Sequence, residues 1–222
     1  MSPRKVIDKK KQKGARTKAA IIQAARNIFS RYPYHIASIR MIGKEAGVEH
    51  PLISYYFPNK KKLFEVVLAD ICDEYVDKIG EWLSAVRHMN VPEGFMKYLD
   101  YVLAYTNKNP EPYKILALNL TQSEDITRIP GYHYIAKYLG RTRRVFDEKL
   151  RPTGPPKTIS MYFNSFSLLL ISFIGTGSYI ARLQGIEPDS PRYRKLVKET
   201  MAYIFIPRFK EILRSNTIET RK

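Results

Sequence analysis

Apolar residues recur along this chain at three- and four-residue spacings, and sustained two-residue alternation with hairpin turns is absent, so helices are expected and sheet is not. In "TKAAIIQAARNIFSRY", Ile21, Ala25, Ile28 and Phe29 share one helical face. In "SIRMIGKEAGV", Ile39, Ile42 and Ala46 form an inward stripe. Prolines break the pattern at helix-length intervals: "RYPYH", "YFPNK", "MNVPEG", "NKNPEP", "RIPG", "RPTGPPK" and "QGIEPDSP". The pattern predicts an all-α protein of about nine helices, near 17–32, 38–46, 49–56, 60–89, 92–107, 110–122, 132–150, 157–184 and 190–214.

The first three helices form a small unit with its own signals. Ser38 can cap the second helix, and Gly43 leaves room for a close helix crossing. Gly47 stands where a left-handed residue would end that helix. Pro51 falls in the first turn of the third helix, where a missing N–H costs nothing. Helix, glycine turn, short helix is the helix-turn-helix pattern.

Charge sharpens this reading. The chain of 222 residues has a formal net charge of +17, unevenly spread. Residues 1–62 hold 15 Lys/Arg against Asp8, Glu45 and Glu49, a net of +12, which leaves +5 for the remainder. A strongly basic end on a nearly balanced body points to a polyanion partner. The expected layout is a flexible basic arm (1–16), a helix-turn-helix DNA-binding domain (17–62) and a helical body (63–222).

A helix lying in a major groove needs base-touching side chains at its N-terminal end, with hydroxyls and cations flanking it for phosphates. His50, Pro51, Leu52 and Tyr55 suit the first role, and Ser54 and Tyr56 offer hydroxyls. Asn59 can cap the fourth helix, which sets Lys60 at its positive end as a phosphate ligand. Arg40, early in the second helix, reaches either a base or a phosphate.

Over about Lys18 to Leu63 the chain resembles the tetracycline-repressor (TetR) family of bacterial transcription regulators. The resemblance is carried by "IIQAARNIF", Tyr34, "SIRMIGKEAGV" and "YYFPNKKKLF", the last similar to the family's Tyr-x-Tyr-Phe-x-Ser-Lys signature. Pro33 departs from the family's usual Gly, Ser54 from a frequent Tyr, and Glu49 from a frequent capping Ser. The resemblance implies a cytoplasmic, ligand-responsive regulator, a repressor or an activator, that binds a palindromic operator in double-stranded DNA as a homodimer. It also implies a ligand-binding and dimerisation domain in the later helices, where no residue-level match exists.

That body holds 12 of the 16 tyrosines. With the family's central helices around a ligand pocket, Tyr98, Tyr101, Tyr105, Tyr113, Tyr138, Phe163 and Phe166 become candidate contacts for a small apolar or aromatic effector. Thr158 to Ala181 carries no charge and must be covered. Leu169, Phe173, Gly177, Met201 and Phe205 are the expected dimer interface, with Gly175, Gly177 and Ser178 allowing close approach. The rival reading is a membrane-associated basic protein anchored through 158–181, disfavoured by the polar residues within that run. The four histidines show no ligand spacing and Cys72 is the single cysteine, so neither a metal site nor a cofactor is expected. No catalytic constellation is visible, and an enzyme is not expected.

Overall fold

A computed structural model describes residues 3–120, 126–188 and 190–213. Among these the chain is all helical: α1 (Pro3–Arg31), α2 (Ile39–Ala46), α3 (His50–Tyr56), α4 (Lys60–Val86), α5 (Val91–Lys108), α6 (Glu111–Leu120), α7 (Tyr132–Leu150), α8 (Pro156–Gly175), α9 (Gly177–Leu183) and α10 (Pro191–Leu213), with one 3-10 turn at Ile126–Arg128.

Local chemistry sets the helix ends around the turn. The Ser38 hydroxyl accepts from the Met41 N–H at 3.2 Å and starts α2. Gly47 ends it at φ 65°, and Val48 N–H returns to the Gly43 carbonyl at 3.0 Å. A Cβ on Gly43 would lie 2.8 Å from the Val48 carbonyl oxygen, so only glycine lets the turn fold back this tightly. Glu49 precedes α3 without a side-chain cap, whereas Asn59 accepts from the Lys62 N–H at 2.9 Å and starts α4. Ile21, Phe29, Ile42, Ile53, Phe57, Leu63 and Phe64 close the small core beneath, where Phe29 and Phe64 meet edge to face at 4.7 Å.

Two boundaries differ from expectation. α1 runs back to Pro3 instead of starting near 17, because the Lys- and Gln-rich stretch before it contains good helix formers and only Gly14 as a weak point. The expected helix over 157–184 is two helices that break at Thr176, between Gly175 and Gly177. Glycine flanking on both sides makes continuation of the helix costly there.

The body is built on α4, which passes from the small core into the large one without interruption: Leu63, Phe64 and Val67 serve the first, and Ile79, Trp82 and Leu83 the second. α4 packs on α7 and α5, α6 lies between α1 and α8, and α10 covers α5 and α8. Gly175 marks the closest crossing. A Cβ there would stand 2.4 Å from Ala117 Cβ and 2.8 Å from the Tyr113 carbonyl oxygen. α8 is long and apolar enough to cross a membrane by length and composition, and one third of its most apolar window (33%) is buried within the subunit.

Candidate DNA interface and effector cavity

α3 presents one exposed stripe. Ile53 is fully buried on its inner side, while His50, Pro51, Ser54 and Tyr55 recur at one- and four-residue spacings on the outer side. Tyr55 is 80% exposed and Leu52 39%, unusual for side chains that pack well elsewhere. Arg40 on α2 is exposed as well.

Two candidates point elsewhere. Tyr56 is half-buried against the small core, with its hydroxyl 3.4 Å from where a Cβ on Gly14 of α1 would sit. It packs α3 beside the first helix. Lys60 is turned inward. Its Nζ donates to the Tyr34 and Ala37 carbonyls, both at 2.8 Å, and lies 4.3 Å from the centre of the Tyr34 ring. Partial burial holds its pKa below the usual lysine range. Lys60 thus ties α4 to the α1–α2 turn and is not posed as a phosphate ligand. Lys60→Met should therefore cost about 1–3 kcal/mol of stability, because two carbonyls lose their donor. Urea unfolding checks this. The slope of DNA affinity against salt should stay unchanged, whereas a slope lowered by about one per subunit would restore the phosphate role.

On α1, exposed Lys11, Lys13 and Arg16 flank Gly14, the residue beside Tyr56. The helical extension therefore carries cations next to α3, where a separate flexible arm was expected.

The body holds a cavity of about 120 Å³ between α4, α5, α7, α8 and α10. Tyr98, Tyr113, Tyr138, Phe163 and Phe166 line it as the sequence suggested. Tyr101 does not; it is half-buried beside Lys97, whose Nζ lies 5.4 Å from its ring. Tyr105 does not either: its hydroxyl donates to Glu74, which also pairs with Arg26 of α1 at 3.1 Å. Burial alone would raise the Glu74 pKa, but these two hydrogen bonds hold it below the usual carboxylate range. Ile79, Leu83, Thr142 and Tyr162 are among the other wall residues and were not singled out. Their spacing resembles ordinary core packing, so nothing in the sequence separates the two. Burial pushes the Cys72 thiol up to about 12, which fits a packing role.

α6 spans the distance between the two regions. At its first turn the Tyr113 hydroxyl shares a 2.6 Å hydrogen bond with Tyr75. Near its last turn buried Asn119 accepts the Tyr34 N–H at 3.0 Å, in the turn that Lys60 also holds. Asn119 was missed because a lone Asn late in an apolar helix carries no sequence signal.

The expected interface residues divide differently from the prediction. Met201 is 0% exposed, and Phe173 and Phe205 are buried, all within their own subunit. They pack inward because α8 and α10 cover the cavity. Gly177 meets the Tyr193 ring, and Gly175 meets α6, so these small residues serve contacts inside the subunit. Leu169 is half-buried against the core. The apolar residues left outside are Met161 and Leu168 on α8, Tyr179 and Leu183 on α9, and Tyr203 and Ile204 on α10.

Residues 21–67 match the family described as bacterial regulatory proteins, tetR family. The chain is 22% identical over 189 residues to the "Probable HTH-type transcriptional regulator YttP" of Bacillus subtilis, covering 82% of this chain and 89% of YttP. It is 27% identical over 117 residues to the HTH-type transcriptional regulator RutR of Escherichia coli K12, covering 52% of this chain and 53% of RutR. The crystal structure of the transcriptional regulator FadR from Bacillus subtilis in complex with stearoyl-CoA superposes with a TM-score of 0.59 at 16% identity, over 83% of this chain and 97% of that one. With the exposed stripe of α3 set on a helix-turn-helix core and joined to an all-helical body, residues 21–67 form a tetR-family helix-turn-helix unit, and the chain is a DNA-binding transcriptional regulator of that type.

Proposed function

We propose that the chain is a ligand-responsive repressor, working in the bacterial cytoplasm as a homodimer on a palindromic operator. Residues 17–62 would be the DNA-reading unit, residues 63–222 the sensing and dimerising unit, and the basic residues before 17 an addition to the phosphate-binding surface. The observation that carries this reading is the outer stripe of α3, where His50, Pro51, Ser54 and Tyr55 stand exposed over a closed core.

In a dimer, two such stripes can enter successive major grooves about 34–36 Å apart. His50 stands at the helix start, where its ring can donate to or accept from a base edge. Tyr55 can lay its ring against a thymine methyl or give its hydroxyl to a phosphate. Lys11, Lys13, Arg16 and Arg40 supply positive charge for the backbone. The outward apolar residues of α8, α9 and α10 support dimerisation through those helices. A partner subunit, rather than a membrane, would cover α8, consistent with its packing on α6 and α10 and its end at Thr176.

The cavity supports a small-molecule effector, as does the similarity to FadR, whose structure holds stearoyl-CoA. An effector favouring one arrangement of the Tyr75–Tyr113 pair would shift α6 and so bias the Asn119–Tyr34 bond at the DNA-binding end. This is a population shift between two spacings of the paired α3 helices.

His50→Ala and Tyr55→Ala should each lose about 1–3 kcal/mol on the operator, the scale of one base contact. Each should change binding to scrambled duplex far less. Parallel titrations at fixed salt decide the point. Equal losses on both duplexes would reduce these side chains to positioning the helix, and no loss on either would remove α3 as the reader.

A further inference from the structure

The cavity has a polar side that the protein itself leaves unsatisfied. Among the described residues the hydroxyls of Tyr98, Tyr138 and Tyr162 have no hydrogen-bond partner, although all three rings line the cavity. A phenol hydroxyl facing an apolar wall without an acceptor costs free energy. These three, with Tyr75 and Tyr113, form one cluster around Tyr98. Charge on the Tyr98 phenol would oppose ionisation of each of the other four. Burial raises all five pKa values well above the ordinary tyrosine range, so at neutral pH each carries its proton. One donor–acceptor pairing is internal, between Tyr75 and Tyr113 at 2.6 Å. The other three hydroxyls are donors facing the cavity.

The remaining wall narrows the ligand further. Aliphatic and aromatic side chains such as Leu83, Phe95 and Leu170 make up most of it. Among the described residues no carboxylate lines it, and the single charged one is Arg87, exposed at the end of α4 with its Nε donating to His88 Nε2 at 2.9 Å. Neither a deep cation nor a deep anion would find a counter-charge beside the tyrosines, and an unpaired charge there is strongly disfavoured. The Thr142 hydroxyl donates its proton to the Tyr138 and Leu139 carbonyls, so it has no donor left for a ligand oxygen. A volume of about 120 Å³ is close to that of dry cavities which accept a single aromatic ring.

From these features we infer that the cavity takes a neutral, ring-sized apolar ligand with a carbonyl or equivalent acceptor oxygen held by the Tyr98, Tyr138 and Tyr162 hydroxyls. A carbonyl oxygen has two lone pairs, so two of the three donors can be satisfied at once. The inference rests on the reading of this cavity as the effector site.

Titration calorimetry on the purified full chain with four matched probes tests it: acetophenone, ethylbenzene, benzoate and 1-phenylethylammonium. Acetophenone should bind about tenfold more tightly than ethylbenzene, the scale of one well-placed hydrogen bond. Benzoate and the ammonium compound should bind more weakly than either. Tyr98→Phe with Tyr138→Phe should bring acetophenone down toward the ethylbenzene level, since only the Tyr162 hydroxyl is left to donate, while leaving ethylbenzene unchanged. Ser167→Leu, which fills the cavity, should weaken both neutral probes. Tighter binding of either charged probe, an unchanged acetophenone affinity in the double variant, or no binding of any probe would overturn the assignment. Operator release is read separately. Acetophenone that binds as described but leaves DNA affinity unchanged would sink the effector reading and spare the ligand class. Release by benzoate would do the reverse.

Discussion

Replacing Leu168 and Ile204 together by glutamate will leave a helical monomer that no longer holds its operator. Leu168 is 58% exposed on α8 and Ile204 47% on α10, so neither is needed to close the subunit's own core. In the proposed dimer both are covered, and twofold symmetry would bury each glutamate twice. An uncompensated buried charge costs about 3–5 kcal/mol, enough to separate subunits at micromolar concentration. Each half-site would then face a single α3, and the advantage of holding two sites at once would be lost. Sedimentation should report a monomer and circular dichroism an unchanged helix content. Met201→Glu or Phe205→Glu should instead unfold the chain, since both side chains are buried within the subunit. A Leu168→Glu, Ile204→Glu chain that stays dimeric would move the interface away from α8 and α10.

Gly175→Ala should be the most costly single methyl in the body. Its Cβ would fall 2.4 Å from Ala117 Cβ and 2.8 Å from the Tyr113 carbonyl oxygen. One of these is backbone, so no side-chain rotation relieves the clash and α6 must move away from α8. Overpacking of this kind costs about 1–3 kcal/mol. The Ala117→Gly change should recover part of that loss when combined with Gly175→Ala, because it removes the closer contact but not the backbone one. Urea unfolding of the three variants measures it. The displacement also reaches Tyr113 at the cavity, so Gly175→Ala should alter DNA affinity without touching α3. A variant of wild-type stability would mean that α6 and α8 yield more easily than their close approach implies.

Features written in single residues could be read from the sequence. Ser38, Gly47, Pro51 and Asn59 each act through backbone chemistry within a few positions, and the structure uses the caps and turns as their identities suggest. The apolar stripe of Ile21, Ala25, Ile28 and Phe29 is buried for the same local reason. What could not be read was the direction of long or all-round apolar elements. Lys60 stands at a helix start, where an anion site and an inward tether have the same sequence, and only the position of the Tyr34 and Ala37 carbonyls decides between them. α8 and α10 are apolar on several sides, so periodicity does not separate the side facing α6 from the side left outward, and Met201 and Phe205 were placed on the wrong one. Tyr98 and Tyr105 are seven residues apart on α5, yet one lines the cavity while the other meets Glu74, which is contributed by a different helix.

The proposed regulatory role depends on specific DNA recognition by α3. Fragments selected from the source genome by the purified chain should share a twofold-related sequence, and the chain should bind it about 10³-fold or more above scrambled duplex at physiological salt. In the same titration, His50→Ala and Tyr55→Ala should reduce that ratio. Affinity that is equal on selected and scrambled DNA, and that falls only with salt, would show a basic chain holding phosphates alone and would contradict the account.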